Sequence, residues 1–147
     1  MLVLDANIWV SAFDAGDPHH PESVALLAAV ARRGEALAGP ALLLLESVCA
    51  LARRTGDPEL ARAAGERLAA HPALRLEPMD DDLLATALHL GTALRLRGAD
   101  ALYAATAARL ACPLLSWDAE LVARGGAESP RAWLARQGAP ADLVSEG

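Results

Sequence analysis

The sequence predicts an α/β protein built on a parallel sheet, and three observations carry that prediction. Short apolar runs, of which Leu2-Val3-Leu4 is the first, recur between longer segments with helical periodicity. Caps and breakers punctuate the chain at Gly34, Gly56, Asp57-Pro58, Gly98 and Ser129-Pro130. The composition is 54% hydrophobic but only 3% aromatic, so the core must be mostly Leu, Ala and Val, a mixture that favours helices. Strands alternating with helices argue for a parallel sheet covered on both faces. With 147 residues and neither an internal repeat nor a linker, a single domain over 1–147 is expected.

The elements follow in order. Leu2-Val3-Leu4 runs into Asp5 and reads as a buried strand with an acid at its C-terminal end. Asn7 to Phe13 is a short helix, and Asp14 to Pro21 is rich in turn residues. Glu22 to Arg33 places Val24, Leu26, Leu27, Val30 and Ala31 at helical spacing, with Pro21 in the first turn and Gly34 at the end. Ala36 to Ala38 is a short strand, after which Gly39-Pro40 opens an apolar helix from Ala41 to Arg54. Asp57-Pro58-Glu59 supplies a cap, an N1 proline and an acidic first turn for a helix reaching about Ala70. Leu74 to Met79 alternates and reads as a strand. Asp80-Asp81-Asp82 precedes a helix over Leu83 to Leu96, and Asp100 begins another through Leu110. Cys112 to Ser116 is a last strand, Asp118 to Arg124 a short helix, and Ser129-Pro130 starts a final helix through Arg136. The tail after Gly138 is expected to fray.

Composition excludes several chemistries. The chain has no lysine, which rules out a P-loop and a Schiff-base mechanism, since both require one. Cys49 and Cys112 lie far apart in apolar surroundings and read as small buried thiols in a reducing cytosol, not as a disulfide. No basic leader precedes the first apolar run, and Glu46 breaks the most apolar segment, so a cytoplasmic protein without a membrane span is expected. The net charge of -6 argues against nucleic-acid binding by bulk attraction.

Four acids qualify that objection. Asp5 and Asp118 each follow a short apolar strand, and each reads equally as a helix cap or as a ligand. Glu46 is the most informative. Its neighbours one turn away are Leu42, Leu43, Cys49 and Ala50, a face that wants burial, and an unpaired buried carboxylate costs several kcal/mol. An ion pair from elsewhere or a helix edge facing water is the plainer alternative. Asp100 taken alone is an ordinary helix start. If the first and last strands are parallel neighbours, Asp5 and Asp118 share one sheet edge, where open α/β proteins bind ligands.

Gathered carboxylates repel, by about 4 kcal/mol for a pair near 4 Å at an effective dielectric of ~20. A divalent cation removes that repulsion, and all-oxygen ligands suit Mg²⁺ or Mn²⁺. Of the net -6, four units belong to these acids, leaving -2 for the rest. Arg53, Arg54, Arg95 and Arg97 could supply phosphate contacts, although solvated helix ends are the favoured reading for each. Adjacent His19 and His20 fit a loop and helix start better than a metal pair. Asp80 to Asp82 fit a solvated cap, Trp9, Trp117 and Trp133 fit core or interface, and His89 fits a structural role.

Taken together, Leu2-Val3-Leu4-Asp5-Ala6-Asn7 with Ser11, Glu46 in its apolar helix, Gly98-Ala99-Asp100-Ala101-Leu102-Tyr103-Ala104-Ala105-Thr106-Ala107, and Leu114-Leu115-Ser116-Trp117-Asp118 resemble the PIN-domain ribonucleases, nearest to VapC-type toxins of toxin–antitoxin modules. His20-Pro21 and Ser129 to Leu134 look like the same group. One departure is Ser116, where the family more often has Thr; the hydroxyl is kept. The resemblance implies a three-layer α/β/α sandwich and a Mg²⁺- or Mn²⁺-dependent endoribonuclease site. Asp5, Glu46, Asp100 and Asp118 would form its acidic quartet, with Asn7 and Ser116 as polar supports. It also implies a homodimer, an RNA substrate and an inhibitory antitoxin partner. Two alternatives remain: a catalytically idle PIN fold serving as a protein- or RNA-binding module, and a phosphate-ester hydrolase. The second is disfavoured by Asn7 at the position of a second Asp and by the missing lysine.

Overall fold

The computed structural model describes residues 1–138, so the expectation of a frayed tail after Gly138 lies outside the described residues. The elements are β1 (Leu2–Leu4), α1 (Ala6–Phe13), α2 (His20–Arg33), β2 (Leu37–Pro40), α3 (Leu42–Thr55), α4 (Pro58–Ala69), β3 (Leu74–Glu77), α5 (Asp81–Leu94), α6 (Gly98–Leu110), β4 (Leu114–Leu115), α7 (Ala119–Arg124) and α8 (Pro130–Arg136). The strands form one parallel sheet in the order β3-β2-β1-β4, flanked by helices in the expected α/β/α arrangement. No described helix is long and apolar enough to cross a membrane.

β1 sits inside the sheet because it can be buried on all sides. Leu2, Val3 and Leu4 are fully apolar and at most 4% exposed. Val3 and Leu4 pair with Leu114 and Leu115, while Leu2 and Val3 pair with Leu37 and Ala38 on the other side. The first and last strands are thus neighbours, and both point their C-terminal ends at the same edge. α6 packs on β1, β2 and β4, with α5 against it. Helices α1, α2, α3, α4 and α8 bring Trp9, Leu26, Leu43, Leu68 and Trp133 into the main core.

Several boundaries differ from the sequence reading. Gly39 and Pro40 continue β2 instead of opening a helix. They stay in register with Leu76 and Glu77, and the Ala41 N–H donates to the Glu77 carbonyl at 2.8 Å. The helix starts only at Leu42. β3 stops at Glu77, two residues before Met79, where the acidic cap sequence takes over. α5 begins at Asp81, capped by the Asp80 carboxylate on the Leu83 N–H. It ends at Leu94 because Arg95 turns left-handed, with φ 56°. α6 starts at Gly98, so Asp100 lies inside its first turn.

One side-chain reading is corrected. Cys49 is exposed, not buried, because it shares the outward face of α3 with Leu45; Cys112 is half-buried, and both are free thiols. His89 is exposed on α5. Trp9 and Trp133 are buried as expected. Half-buried Trp117 has its ring stacked on His19, centroids 4.0 Å apart and 8° from parallel. His20 opens α2, and its Nδ1 lies 2.8 Å from the Ser11 carbonyl.

Candidate active site

The parallel sheet brings a strand end and three helices to one cleft of about 530 Å³. Asp5, Asn7, Glu46, Asp100 and Asp118 all line it, together with Arg53, Arg54, Arg97 and apolar side chains including Leu42 and Leu45. Arg95 lies outside this lining.

Asp5 stands where β1 passes into α1. Its backbone N–H donates to the Leu115 carbonyl at 3.0 Å, which locks it beside β4. It occupies the cap position of α1, yet its side chain makes no capping bond. Instead Oδ2 accepts from Ser116 Oγ at 2.6 Å and from Asn7 Nδ2 at 3.0 Å. The cap reading of Asp5 therefore fails on geometry, because the carboxylate turns across to β4. Asn7 closes a ring. Its Nδ2 also donates to Ser116 Oγ at 3.0 Å, while its Oδ1 accepts from the Trp117 N–H at 3.2 Å. Ser116 Oγ in turn accepts from the Asp118 N–H at 2.9 Å. One short network thus joins the two strand ends.

Asp118 is both a cap and a cleft residue. Oδ1 accepts from the N–H groups of Glu120 at 2.8 Å and Leu121 at 3.0 Å, as a helix cap should. Oδ2 is left for the cleft and accepts from Arg97 Nη2. Arg97 Nε reaches Asp100 Oδ2 at 2.9 Å, so one guanidinium bridges two of the acids. Glu46 is half-buried on α3, and its Oε2 accepts from the Tyr103 hydroxyl at 2.7 Å.

The titration behaviour follows this geometry. Burial pushes the Asp5 carboxyl up to about 6, helped by the charges of Glu46 and Asp100 and opposed by the Ser116 and Asn7 donors. Desolvation also acts upward on Asp118, but the Leu121 and Glu120 N–H groups and the Arg97 guanidinium hold it below the usual carboxylate range. Burial raises the Tyr103 phenol well above its ordinary value, and the adjacent Glu46 carboxylate adds to this, so it remains a proton donor.

All four acids singled out from sequence share the cleft, and Asn7 and Ser116 join it through Asp5. Among the described residues, however, no three acidic, histidine or cysteine side chains are gathered tightly enough to ligate one ion in these rotamers. The reason is visible in their bonds. Arg97 draws Asp100 and Asp118 towards itself, and Tyr103 holds Glu46. Sequence reasoning left Tyr103 without a role. The signal available was its place three residues after Asp100, on one helix face, as the only tyrosine in the chain. Arg97 likewise stands three residues before Asp100.

Fold and cleft together define a class: a parallel α/β/α protein with an acidic cleft at the C-terminal edge of its sheet. The family model for the PIN domain matches residues 2–126, and the chain belongs to the PIN-domain family. No curated protein matches it by sequence. Among solved structures it is similar to VapC20 of Mycobacterium tuberculosis, a sarcin-ricin loop cleaving toxin, with 21% identity, TM-score 0.72, and 84% of this chain covering 94% of that one. It is also similar to FitAcB from Neisseria gonorrhoeae, with 18% identity, TM-score 0.67 and coverage of 89% and 99%. VapBC2 from Rickettsia felis, bound to a promoter DNA fragment, follows with 16% identity, TM-score 0.63 and coverage of 86% and 94%. At these identities the likeness is one of fold.

Proposed function

We propose that the chain is a divalent-metal-dependent endoribonuclease and the toxin of a toxin–antitoxin pair, with Asp5, Glu46, Asp100 and Asp118 as the acidic quartet. The observation that carries this reading is that acids from four separate elements line one cleft in a PIN-family chain. The donor set fits Mg²⁺ or Mn²⁺, since it is all oxygen with neither imidazole nor thiolate in the quartet. Asp5 fits as well. It is 7% exposed, its hydrogen bonds come from neutral donors, and burial first and nearby acids second raise its pKa, so a cation is what its ionised form lacks.

Held by these acids, a divalent cation would supply Lewis acidity at the phosphate and a water activated for attack on the phosphodiester. The chain's own groups do the positioning. Ser116 and Asn7 orient Asp5 through two donors on one oxygen, leaving Oδ1 for the cleft. Tyr103 fixes Glu46, leaving Oε1 to bind or orient water. Arg53 lines the cleft and suits a substrate phosphate. Arg54 is anchored on Asp17 and lies 3.5 Å from Asp14, which makes it a fixed wall.

Purified protein should cleave single-stranded RNA with Mg²⁺ or Mn²⁺, leave 5′-phosphate and 3′-hydroxyl ends, and stop in EDTA. Full cleavage in EDTA, or by Asp5→Asn, would sink the reading. A catalytically idle binding module would take up no divalent ion in calorimetry. The antitoxin is tested by growth: expression of the chain alone should arrest cells, and co-expression of a small protein encoded beside it should relieve the arrest. The implied homodimer has a candidate surface in Leu84 and Leu88, one turn apart on α5 and 39% and 70% exposed.

A further inference from the structure

Arg97 precedes α6 in extended backbone, with φ -65° and ψ 156°, and its side chain is 64% exposed. The guanidinium nevertheless folds over the cleft. Nε donates to Asp100 Oδ2 at 2.9 Å, and Nη2 donates to Asp118 Oδ2. The identity of the oxygens matters. Asp118 Oδ1 is committed to the Glu120 and Leu121 N–H groups, so Oδ2 is the oxygen available to a cation, and Arg97 holds it.

We propose that Arg97 is a positioning residue that serves as an internal counter-cation, pairing Asp100 with Asp118 and competing with a divalent ion for the same carboxylate oxygens. Ion binding then exchanges guanidinium for metal. This rests on the metal-dependent reading above.

The physical argument has two sides. Asp100 and Asp118 carry like charge into one cleft and repel unless a cation lies between them. A planar guanidinium with several donors can bridge two carboxylates from separate elements, which a point-like ammonium does poorly. The exchange is also easy to reverse. Arg97 is mostly exposed and its pairs are screened by water, so its guanidinium can leave without unfolding anything. Its position at the start of α6 keeps it tethered beside the cleft after release.

Calorimetric titration of the chelator-stripped full chain with MgCl₂ and with MnCl₂ tests this in wild type, Arg97→Gln and Arg97→Lys. Arg97→Gln should bind both ions about three- to tenfold more tightly, the range expected for losing one or two screened ion pairs. It should also melt at a lower temperature in EDTA. Arg97→Lys keeps the charge but loses the fork, and should likewise bind more tightly than wild type. In wild type, the Arg97 Nε–H resonance should shift and exchange faster as Mg²⁺ is added. Unchanged or weaker binding by Arg97→Gln overturns the proposal. So does wild-type affinity in Arg97→Lys beside tighter binding in Arg97→Gln, which is the signature of net charge alone. Uptake of neither ion by wild type removes the metal-dependent reading itself, and the wild-type titration decides that separately.

Discussion

Asp5 is 7% exposed, and its carboxyl titrates at about 6 instead of 3.8 because burial outweighs the donors that stabilise its charge. The folded protein therefore holds this proton more tightly than the unfolded chain. Between 3.8 and 6 the native state carries the extra proton, so this group's contribution to stability falls as pH rises. Above that window the full penalty stands, on the order of 3 kcal/mol; below it there is none. Asp5→Asn keeps an oxygen for both donors without the charge. In EDTA at pH 7.5 it should melt several degrees above wild type, the gain should vanish near pH 4, and RNA cleavage should be lost. Tm profiles against pH and an end-labelled RNA assay check both halves. Tyr103→Phe removes the 2.7 Å bond to Glu46. Glu46 can turn to water, so stability should drop by only about 1 kcal/mol. Cleavage should fall by about 10- to 100-fold, as when a ligand's supporting partner is lost. Urea melts and initial rates separate the two effects.

At the level of elements, the sequence exposed what depends on local pattern. Asp57-Pro58 and Ser129-Pro130 signalled their helices, and the structure shows both caps bonded as the residue types predict. It concealed what depends on partners. Gly39-Pro40 looks like a helix start until β3 is known to pair alongside, and Cys49 looks buried until α3 is seen to turn that face outward. The cleft divides in the same way. Asp5 and Asp118 were legible as sharing an edge because each follows a short apolar strand, whereas Glu46 and Asp100 lie within helices and were grouped with them only through the family resemblance. Asn7 and Ser116 were expected beside the acids through the resemblance, but Arg97 and Tyr103 were not, because they reach Asp118 and Glu46 across 21 and 57 residues. Packing of α3, which carries Glu46, depends on Gly65 of α4. A Cβ there would lie 2.5 Å from Val48 Cγ2, and a β-branched side chain in a helix cannot turn away cheaply. Gly65→Ala should thus destabilise by about 1–3 kcal/mol despite alanine's better helix propensity. Chemical denaturation reads the sign directly.

For the molecule as a whole, charge and assembly are the testable quantities. The quartet concentrates negative charge in one cleft of a chain that carries -6 overall. Divalent ions at about a hundred times their dissociation constant should stabilise the protein by roughly 2.7 kcal/mol. Asp5→Asn should lose most of that gain, which thermal scans with and without MgCl₂ would show. Assembly is read by mass. Light scattering should report a dimer for wild type and a monomer for Leu88→Glu, because a charge placed on a 70% exposed leucine spoils an apolar contact while leaving the core untouched.

The bond from Ser116 to Asp5 spans 111 residues. It also sets a timetable. During synthesis at about 5–20 residues per second, Asp5 emerges on the order of ten seconds before Ser116 exists. Until then β1 has no β4 to pair with, and the acid at its tip has no donor from Ser116 to orient it. Closing so long a loop is among the slower steps of folding. A nascent chain that has not yet reached Ser116 therefore carries its cleft in pieces, with Asp5 still without the hydroxyl that orients it.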